Sequence, residues 1–141
     1  RKILIKPAKK LRAVKIRTDI YPGFPSDLQA PMAVLCTQAS GVSEIFETMY
    51  EGRLQYLFEL QRMGAHVNVR DSHVGLIEGP VNLHGTDLIS FDVRAGATVL
   101  IAAVIAHGKT TIDRIEQIDR GYEHLDGRLR SLGAKISRIG S

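Results

Sequence analysis

The sequence is poor in the residues that build disulfide-rich, membrane-spanning and aromatic-rich proteins. It has one cysteine, no tryptophan and 6% aromatic residues among its 141 residues. A single cysteine, Cys36, cannot form a disulfide within the chain, so we expect a reducing, cytoplasmic environment. The longest wholly apolar run, Val99–Ala106, is far shorter than the ~20 residues of a membrane-spanning helix. We therefore expect no membrane partner.

Acidic charge is missing from the start of the chain. Eight of the 19 basic residues lie in Arg1–Arg17, where no acidic residue occurs, and the other 11 share the rest of the chain with all 15 acidic residues. Nucleic-acid-binding modules usually combine a basic face with aromatic side chains. Both are sparse here, so we interpret the segment as a solvated basic strand and expect no nucleic-acid partner.

Motifs for metal, nucleotide and thiol chemistry are missing as well. The five histidines lack the spacing of metal ligands, and no CxxC, HExxH, P-loop or Gly-rich dinucleotide motif occurs. Met32, Leu35, Cys36 and Ala39 recur at the spacing of one helix face, so we interpret Cys36 as a core residue and not a nucleophile. The sequence predicts neither a metal site nor an organic cofactor.

What is present is an alternation of strand and helix patterns that suits one folded α/β domain. The segment Asp92–Ala106 is apolar on every side, which predicts a helix buried all round. The apolar patterns and turn residues predict, in order, a strand at 11–18, a helix at 27–39 closed by Gly41, a strand at 42–46, a helix at 53–63, a hairpin of 65–69 with 74–77, a strand at 88–91, a helix at 92–106, a strand at 110–112, a helix at 122–132 and a strand at 135–139.

The second half of the chain repeats the first, which predicts two repeat units, 11–87 and 88–141. Because short repeats bury their faces against one another, a closed assembly would need a further unit, and we expect an incomplete domain. The first residue, Arg1 instead of Met, favours a processed or truncated product. The matching pairs are Asp27–Ala30 with Asp92–Ala95 at an offset of 65 residues, Gly41 with Gly108 and Arg53 with Arg120 at 67, and Gly64-Ala65 with Gly133-Ala134 at 69.

The repeat places an acid, Asp27 or Asp92, at the start of each first helix. Asp is a favoured N-cap, so capping is the alternative to a functional role, and for Asp92 the two interpretations have equal weight. Asp27 differs because the rigid segment Tyr21–Pro25 precedes it, and rigid loops that present polar groups are where function concentrates.

Three arginines accompany these acids: Arg53, Arg94 and Arg120. Arginine binds carboxylates and phosphates through two parallel hydrogen bonds, so the set would suit a small substrate with several negative charges. The alternative is surface ion pairing with Glu51 or Asp119, which contributes about 0–1 kcal/mol. Periodicity alone does not decide between them.

Several stretches make the sequence similar to a known family over nearly its whole length. It resembles the C-terminal part of the enolpyruvyl transferases that act on UDP-N-acetylglucosamine, more than their relative 5-enolpyruvylshikimate-3-phosphate synthase. The resemblance implies repeated αβ units in an inside-out barrel, with helices inside and sheets outside. The matching stretches are Tyr21-Pro-Gly-Phe-Pro-Ser-Asp-Leu-Gln-Ala30, Glu47-Thr-Met-Tyr-Glu-Gly-Arg53, Leu60-Gln-Arg-Met-Gly-Ala65, Asp92-Val-Arg-Ala95, Ile118-Asp-Arg-Gly-Tyr-Glu123 and Leu132-Gly-Ala134.

The resemblance also implies an activity. The family transfers the enolpyruvyl group of phosphoenolpyruvate to the 3-hydroxyl of UDP-N-acetylglucosamine with release of phosphate, at the start of peptidoglycan precursor synthesis, without a cofactor. Asp27 would contact the sugar hydroxyl and act as, or assist, the general base. Arg53, Arg94 and Arg120 would surround phosphoenolpyruvate, and Asp92 would orient them and the intermediate.

Met49 and Tyr50 would, by the same resemblance, lie along the nucleotide-sugar pocket. Ser26 and Gly52 stand where threonine and asparagine are common, and neither change removes a charge. The family's catalytic lysine and loop cysteine belong to its other, N-terminal domain, so we expect this chain alone to lack turnover. Two alternatives remain, a nucleotide-sugar-binding module without catalysis and a purely structural domain.

Overall fold

The computed structural model describes residues 2–140, in which strands and helices alternate as the sequence patterns predict. The first half contains β1 (Lys15–Arg17), α1 (Ser26–Cys36), β2 (Gly41–Phe46), α2 (Tyr56–Arg62), β3 (His66–Val69) and β4 (Val74–Gly79). The second half contains β5 (Asp87–Ile89), α3 (Val93–Ile105), β6 (Thr111–Asp113), α4 (Glu116–Asp119) and α5 (Leu125–Ser131).

Each half has a pair of parallel strands joined through a helix. In the first half β1 pairs with β2 across α1, and the sheet continues in the order β1-β2-β4-β3 with antiparallel contacts. The β3–β4 hairpin confirms the hairpin prediction. In the second half β5 pairs with β6 across α3, and these two strands form a separate sheet. Parallel strands need such a crossover because a tight turn cannot join them.

The core lies between the first sheet and the helices α1, α2 and α3, which contact one another. Side chains of β2 alternate as a strand with one covered face requires: Ser43 and Ile45 point inward, whereas Val42 is exposed. Burial of each large apolar side chain stabilises the fold by about 1.5–3 kcal/mol. The fully buried apolar residues include Ala33, Ile45, Leu57, Leu60, Met63, Ile77, Leu88, Val99 and Ala102.

A glycine fixes the closest approach of sheet and helices. A Cβ placed on Gly75 of β4 would lie 2.5 Å from Cδ1 of Leu57 in α2. Any larger residue would therefore force the Leu57 side chain to move, and with it the packing of α2 on the sheet.

The prediction that α3 is buried on every side is wrong. Val99 and Ala102 are fully buried, but Val104 and Ile105 are 46% and 45% exposed. The neighbouring helices α1, α2 and α4 cover only part of the helix surface. The all-apolar composition of α3 therefore does not mean that every face of it is buried among the described residues.

The helix face predicted for α1 is also partly wrong. Cys36 is buried as predicted, but Leu35 is 45% exposed. The helix ends at Cys36 with Thr37 as its C-cap, whereas Gly41 begins β2 with a φ of 107°. The hydroxyl of Thr37 donates to the Val34 carbonyl at 2.7 Å, which closes the last turn without a glycine.

The predicted C-terminal helix is confirmed in part, and the strand predicted after it is wrong. The helix predicted at 122–132 forms as α5, but it begins only at Leu125, and Tyr122 lies in the connection from α4 near His124, which has a φ of 45°. Within residues 2–140, no strand forms at 135–139. Instead Arg138 holds that segment against Asp119 and Asp126. An alternating pattern makes a strand only where a neighbouring strand can pair with it. None of the helices described over 2–140 is both long and apolar enough to cross a membrane.

Candidate functional site

The candidate site lies where the N-terminal ends of α1 and α3 meet the loop between β2 and α2. A cavity of about 390 Å³ opens there. Three segments contribute its walls, and the lining residues are Ser26, Gln29 and Ala30 of α1, Glu51, Gly52, Arg53, Gln55 and Tyr56 of the loop and α2, and Phe91, Asp92, Arg94 and Ala95 at the start of α3.

Asp27 joins the two halves of the chain beside this cavity, whose lining includes its partners Arg53 and Arg94 but not Asp27 itself. Its Oδ1 accepts a hydrogen bond from Arg53 Nη1 at 3.3 Å and another from Arg94 Nε. The hydrogen bond from Arg94 is the main reason that the pKa of Asp27 lies below its ordinary value, and Arg53 lowers it further against the effect of burial. The side chain is 66% exposed. Asp27 is therefore an ionised, accessible carboxylate between two guanidinium groups.

Arg53 is held from several sides. Its guanidinium carbon lies 4.0 Å from the centre of the Tyr50 ring, and its Nη1 donates to Ser26 Oγ at 3.3 Å. With a side chain only 22% exposed, Arg53 has little freedom to move. The alternative interpretation for Arg53 was a surface ion pair with Glu51. The structure instead places Arg53 against Asp27, Ser26 and Tyr50.

The backbone of Arg53 rests on a buried polar pair. Tyr56 Oη donates to Gln29 Oε1 at 2.7 Å, and Gln29 Nε2 donates to the Arg53 carbonyl at 3.4 Å. Burial raises the pKa of the Tyr56 hydroxyl well above its ordinary value, so it stays a neutral donor. Neither residue is among the predicted site residues, because only the tertiary fold brings them beneath the cavity.

Asp92 caps its helix, as the capping interpretation predicts. Its Oδ1 accepts from the backbone N–H groups of Arg94 at 2.7 Å and Ala95 at 2.9 Å. It also lines the cavity. The cap fixes the first turn of α3, from which the Arg94 side chain reaches Asp27.

The structure does not bring Arg120 to the cavity lining formed by the described residues. Its Nη1 donates to Gln117 Oε1 at 3.3 Å, at the end of α4. Asp119, the partner offered by the alternative interpretation, bonds Arg138 instead. The role implied for Arg120 stays a prediction, as do those of Met49 and Tyr50, which are both partly exposed on the loop that ends at Arg53.

Glu47 is a buried carboxylate behind the cavity that the sequence interpretation missed. It is 0% exposed, and its carboxylate accepts from Ser26 Oγ at 2.6 Å, from the Met49 N–H at 2.9 Å and from Thr18 Oγ1 at 3.0 Å. Burial alone would raise the pKa of Glu47, but these hydrogen bonds outweigh it and hold the pKa below its ordinary value. The alternation of Ser43, inward along β2, carries on to Glu47 and is the signal that could have found it.

The site can bind a small anion and accept a proton from it or from a neighbour. Arg53 and Arg94 provide fixed positive charge, and Asp27 provides a carboxylate that is ionised at neutral pH. Over residues 2–140, no group of three or more histidine, cysteine or acidic side chains is arranged to hold a metal ion.

A solved structure shares this fold. The enolpyruvyl transferase NikO from Streptomyces tendae superimposes with a TM-score of 0.85 and 36% sequence identity, over 93% of this chain and 30% of that one. The mixed α/β arrangement is thus an enolpyruvyl transferase fold, as the resemblance implies.

The sequence comparisons agree. The EPSP synthase (3-phosphoshikimate 1-carboxyvinyltransferase) family matches residues 1–129, and the chain belongs to this family of enolpyruvyl transferases. It is 43% identical over 137 residues to UDP-N-acetylglucosamine 1-carboxyvinyltransferase from Helicobacter pylori, and 42% identical over 137 residues to the enzyme of that name from Pelagibacter ubique. Each alignment covers 97% of this chain, which spans about a third of the length of these curated relatives (32% and 33%).

Proposed function

We propose that the chain forms part of an enzyme that transfers the enolpyruvyl group of phosphoenolpyruvate to the 3-hydroxyl of UDP-N-acetylglucosamine and releases phosphate. The observation that carries the proposal is the Asp27 carboxylate held between Arg53 and Arg94, the two arginines that line a cavity of about 390 Å³. The names of the curated relatives support the choice of acceptor over shikimate 3-phosphate.

The proposed chemistry needs a base, an acid and fixed positive charge. The sugar oxygen bonds to C2 of phosphoenolpyruvate as its hydroxyl proton passes to Asp27, and the methylene carbon gains a proton from an acid outside this chain. The bond from C2 to the phosphate oxygen then breaks, and the methyl group loses a proton. Arg53 and Arg94, with Arg120, stabilise the charged tetrahedral intermediate, because preorganised donors act most strongly where charge develops.

Other residues serve binding in this proposal. Met49 and Tyr50 lie along the nucleotide sugar, and Asp92 keeps Arg94 in place by capping α3. The two repeat units, 11–87 and 88–141, supply opposite walls of the site. The remaining catalytic groups belong to the N-terminal part of the same enzyme, and the product enters peptidoglycan synthesis in the cytoplasm.

The test is phosphate release by the natural gene product that contains this chain. We expect release only when phosphoenolpyruvate and UDP-N-acetylglucosamine are both present, and none when shikimate 3-phosphate replaces the nucleotide sugar. The isolated 141-residue chain should release no phosphate above background, and its turnover would contradict the proposed dependence on the N-terminal part. Binding of the nucleotide sugar by the gene product without turnover would favour the non-catalytic module.

A further inference from the structure

We infer that Glu47 is a positioning residue for the proposed reaction, acting through the Ser26 hydroxyl on Arg53 and thereby on Asp27. The inference rests on the proposed function and adds a residue to it. Its basis is a continuous chain of hydrogen bonds from a fully buried carboxylate to the exposed carboxylate beside the cavity.

The Glu47 carboxylate is surrounded by donors. Oε1 accepts from Thr18 Oγ1 and from the Met49 N–H, and Oε2 accepts from Ser26 Oγ. Thr18 is itself fixed, because its hydroxyl accepts from the Thr48 N–H at 2.9 Å. An ionised carboxylate has no proton to give, so each neighbour must be the donor.

This arrangement sets the direction of the Ser26 hydroxyl. A serine hydroxyl has one proton, and here that proton points to Glu47 Oε2 at 2.6 Å. The oxygen lone pairs are left to accept from Arg53 Nη1 at 3.3 Å. Ser26 Oγ is therefore an acceptor for Arg53. This hydrogen bond helps to keep the guanidinium beside Asp27 and over the Tyr50 ring.

Replacement of Glu47 by glutamine reverses that direction. The Met49 N–H can only donate, so the amide oxygen of the introduced side chain must take the Oε1 position and its NH₂ group must face Ser26. Ser26 Oγ then lies between two donors, the new amide and Arg53. The hydroxyl proton must turn away from residue 47, and the contact with Arg53 is disturbed although shape and volume are kept.

A purely structural role for Glu47 is the competing explanation, because its backbone also ties β2 to the β3–β4 hairpin. The Glu47 N–H donates to the His73 carbonyl at 2.8 Å, and His73 Nδ1 lies 2.6 Å from the Glu47 carbonyl oxygen. A structural role predicts lost stability with unchanged chemistry in the molecules that remain folded. Positioning predicts a defect in turnover that depends on Ser26.

The test is a double-mutant cycle in the natural gene product, with Glu47→Gln, Ser26→Ala and the double variant. Each single change should lower kcat roughly 10- to 100-fold, with a smaller change in KM, because small displacements of a catalytic constellation cost up to about that much. The double variant should lose little beyond Ser26→Ala. Ser26→Thr, which keeps a hydroxyl, should recover most of the kcat that Ser26→Ala loses.

Glu59→Gln is the matched control. Glu59 is a buried glutamate of α2 that bonds Arg62 at 3.0 Å and the Ile89 N–H at 3.3 Å, away from the cavity lining. We expect its replacement to lower the urea unfolding midpoint and leave kcat unchanged. If Glu47→Gln behaves in the same way, or if its effect adds fully to that of Ser26→Ala, the inference is wrong.

Two further outcomes distinguish failure of the proposed function from failure of the inference about Glu47. If the unmodified gene product releases no phosphate from the two substrates, the proposed function itself is wrong, and the role of Glu47 in it falls as well. If Glu47→Gln does not fold, the test becomes a comparison of kcat between Ser26→Ala and Ser26→Thr. Equal kcat for these two variants would overturn the inference. A second readout is the acidic limb of the pH profile of kcat/KM, which Glu47→Gln should move to higher pH as Arg53 releases Asp27.

Discussion

Asp27 and Asp92 occupy matching segments of the two halves, yet their carboxylates do different things. Asp92 is the N-cap of α3, and its side chain accepts from two backbone N–H groups. Asp27 lies inside the first turn of α1, whose N-cap is Pro25, and its Oδ1 accepts from two arginines. The longer connection before α1, eight residues against three before α3, shifts the acid into the helix. A rigid loop that ends in proline therefore frees an aspartate from capping.

The strand ends show a similar difference. Thr18 and Ser90 follow the first parallel strand of each half and donate to equivalent carbonyls, those of Phe46 and Asp113. In the first half, β2 is followed directly by the buried Glu47. In the second half, β6 is followed by the exposed Arg114. The first half thus provides the buried support of the site, and the second half provides Arg94.

The largest expected effect separates the two aspartates by their chemistry. Asp27→Asn keeps size and polarity but removes the proton acceptor, so kcat should fall about 100- to 10,000-fold, the usual contribution of a general base. Asp92→Asn should cost far less, since asparagine caps as well as aspartate. Phosphate release by the natural gene product measures both. An equal loss of kcat at the two positions would mean that Asp27 is not the general base that the proposal makes it.

The second prediction separates them by stability. Asp92→Ala should lower the free energy of unfolding by about 0.5–2 kcal/mol relative to Asp92→Asn, because alanine cannot accept from the two N–H groups. The corresponding pair, Asp27→Ala and Asp27→Asn, should differ little, since the described α1 N-terminus has no side-chain capping hydrogen bond. Urea denaturation checks both pairs, and a large difference at Asp27 would mean that it caps after all.

Much of the fold follows from local pattern alone. The strands of the first half, the hairpin and the Asp92 cap come from apolar alternation and from residues with strong positional preference. The grouping of Asp27 with Arg53 and Arg94 follows from the family resemblance and not from the repeat, because the repeat pairs Arg53 with Arg120, which lies outside the cavity lining of the described residues. The strands, the hairpin and the cap depend mainly on patterns within one segment.

The parts that could not be predicted depend on contacts that one segment cannot encode. Whether Leu35 is buried depends on where α3 packs, and whether 135–139 forms a strand depends on a partner strand. Glu47 was missed because a charged residue is usually exposed. It is buried here only because residues 18, 26 and 49 supply donors from three directions.

The smallest expected effect concerns the charge balance at Asp27. Its pKa should lie below the ordinary value of 3.8, and Arg94→Ala should raise it more than Arg53→Ala, because the Arg94 hydrogen bond is the larger cause. Since the pKa is lower in the folded state, the ionised group stabilises the fold above the unfolded pKa, and this contribution is lost as pH falls through the folded value. Carboxyl ¹³C titration by NMR measures the pKa directly. A larger rise with Arg53→Ala would mean that the first half holds Asp27 by itself, and that the second half adds Arg94 only as a substrate ligand.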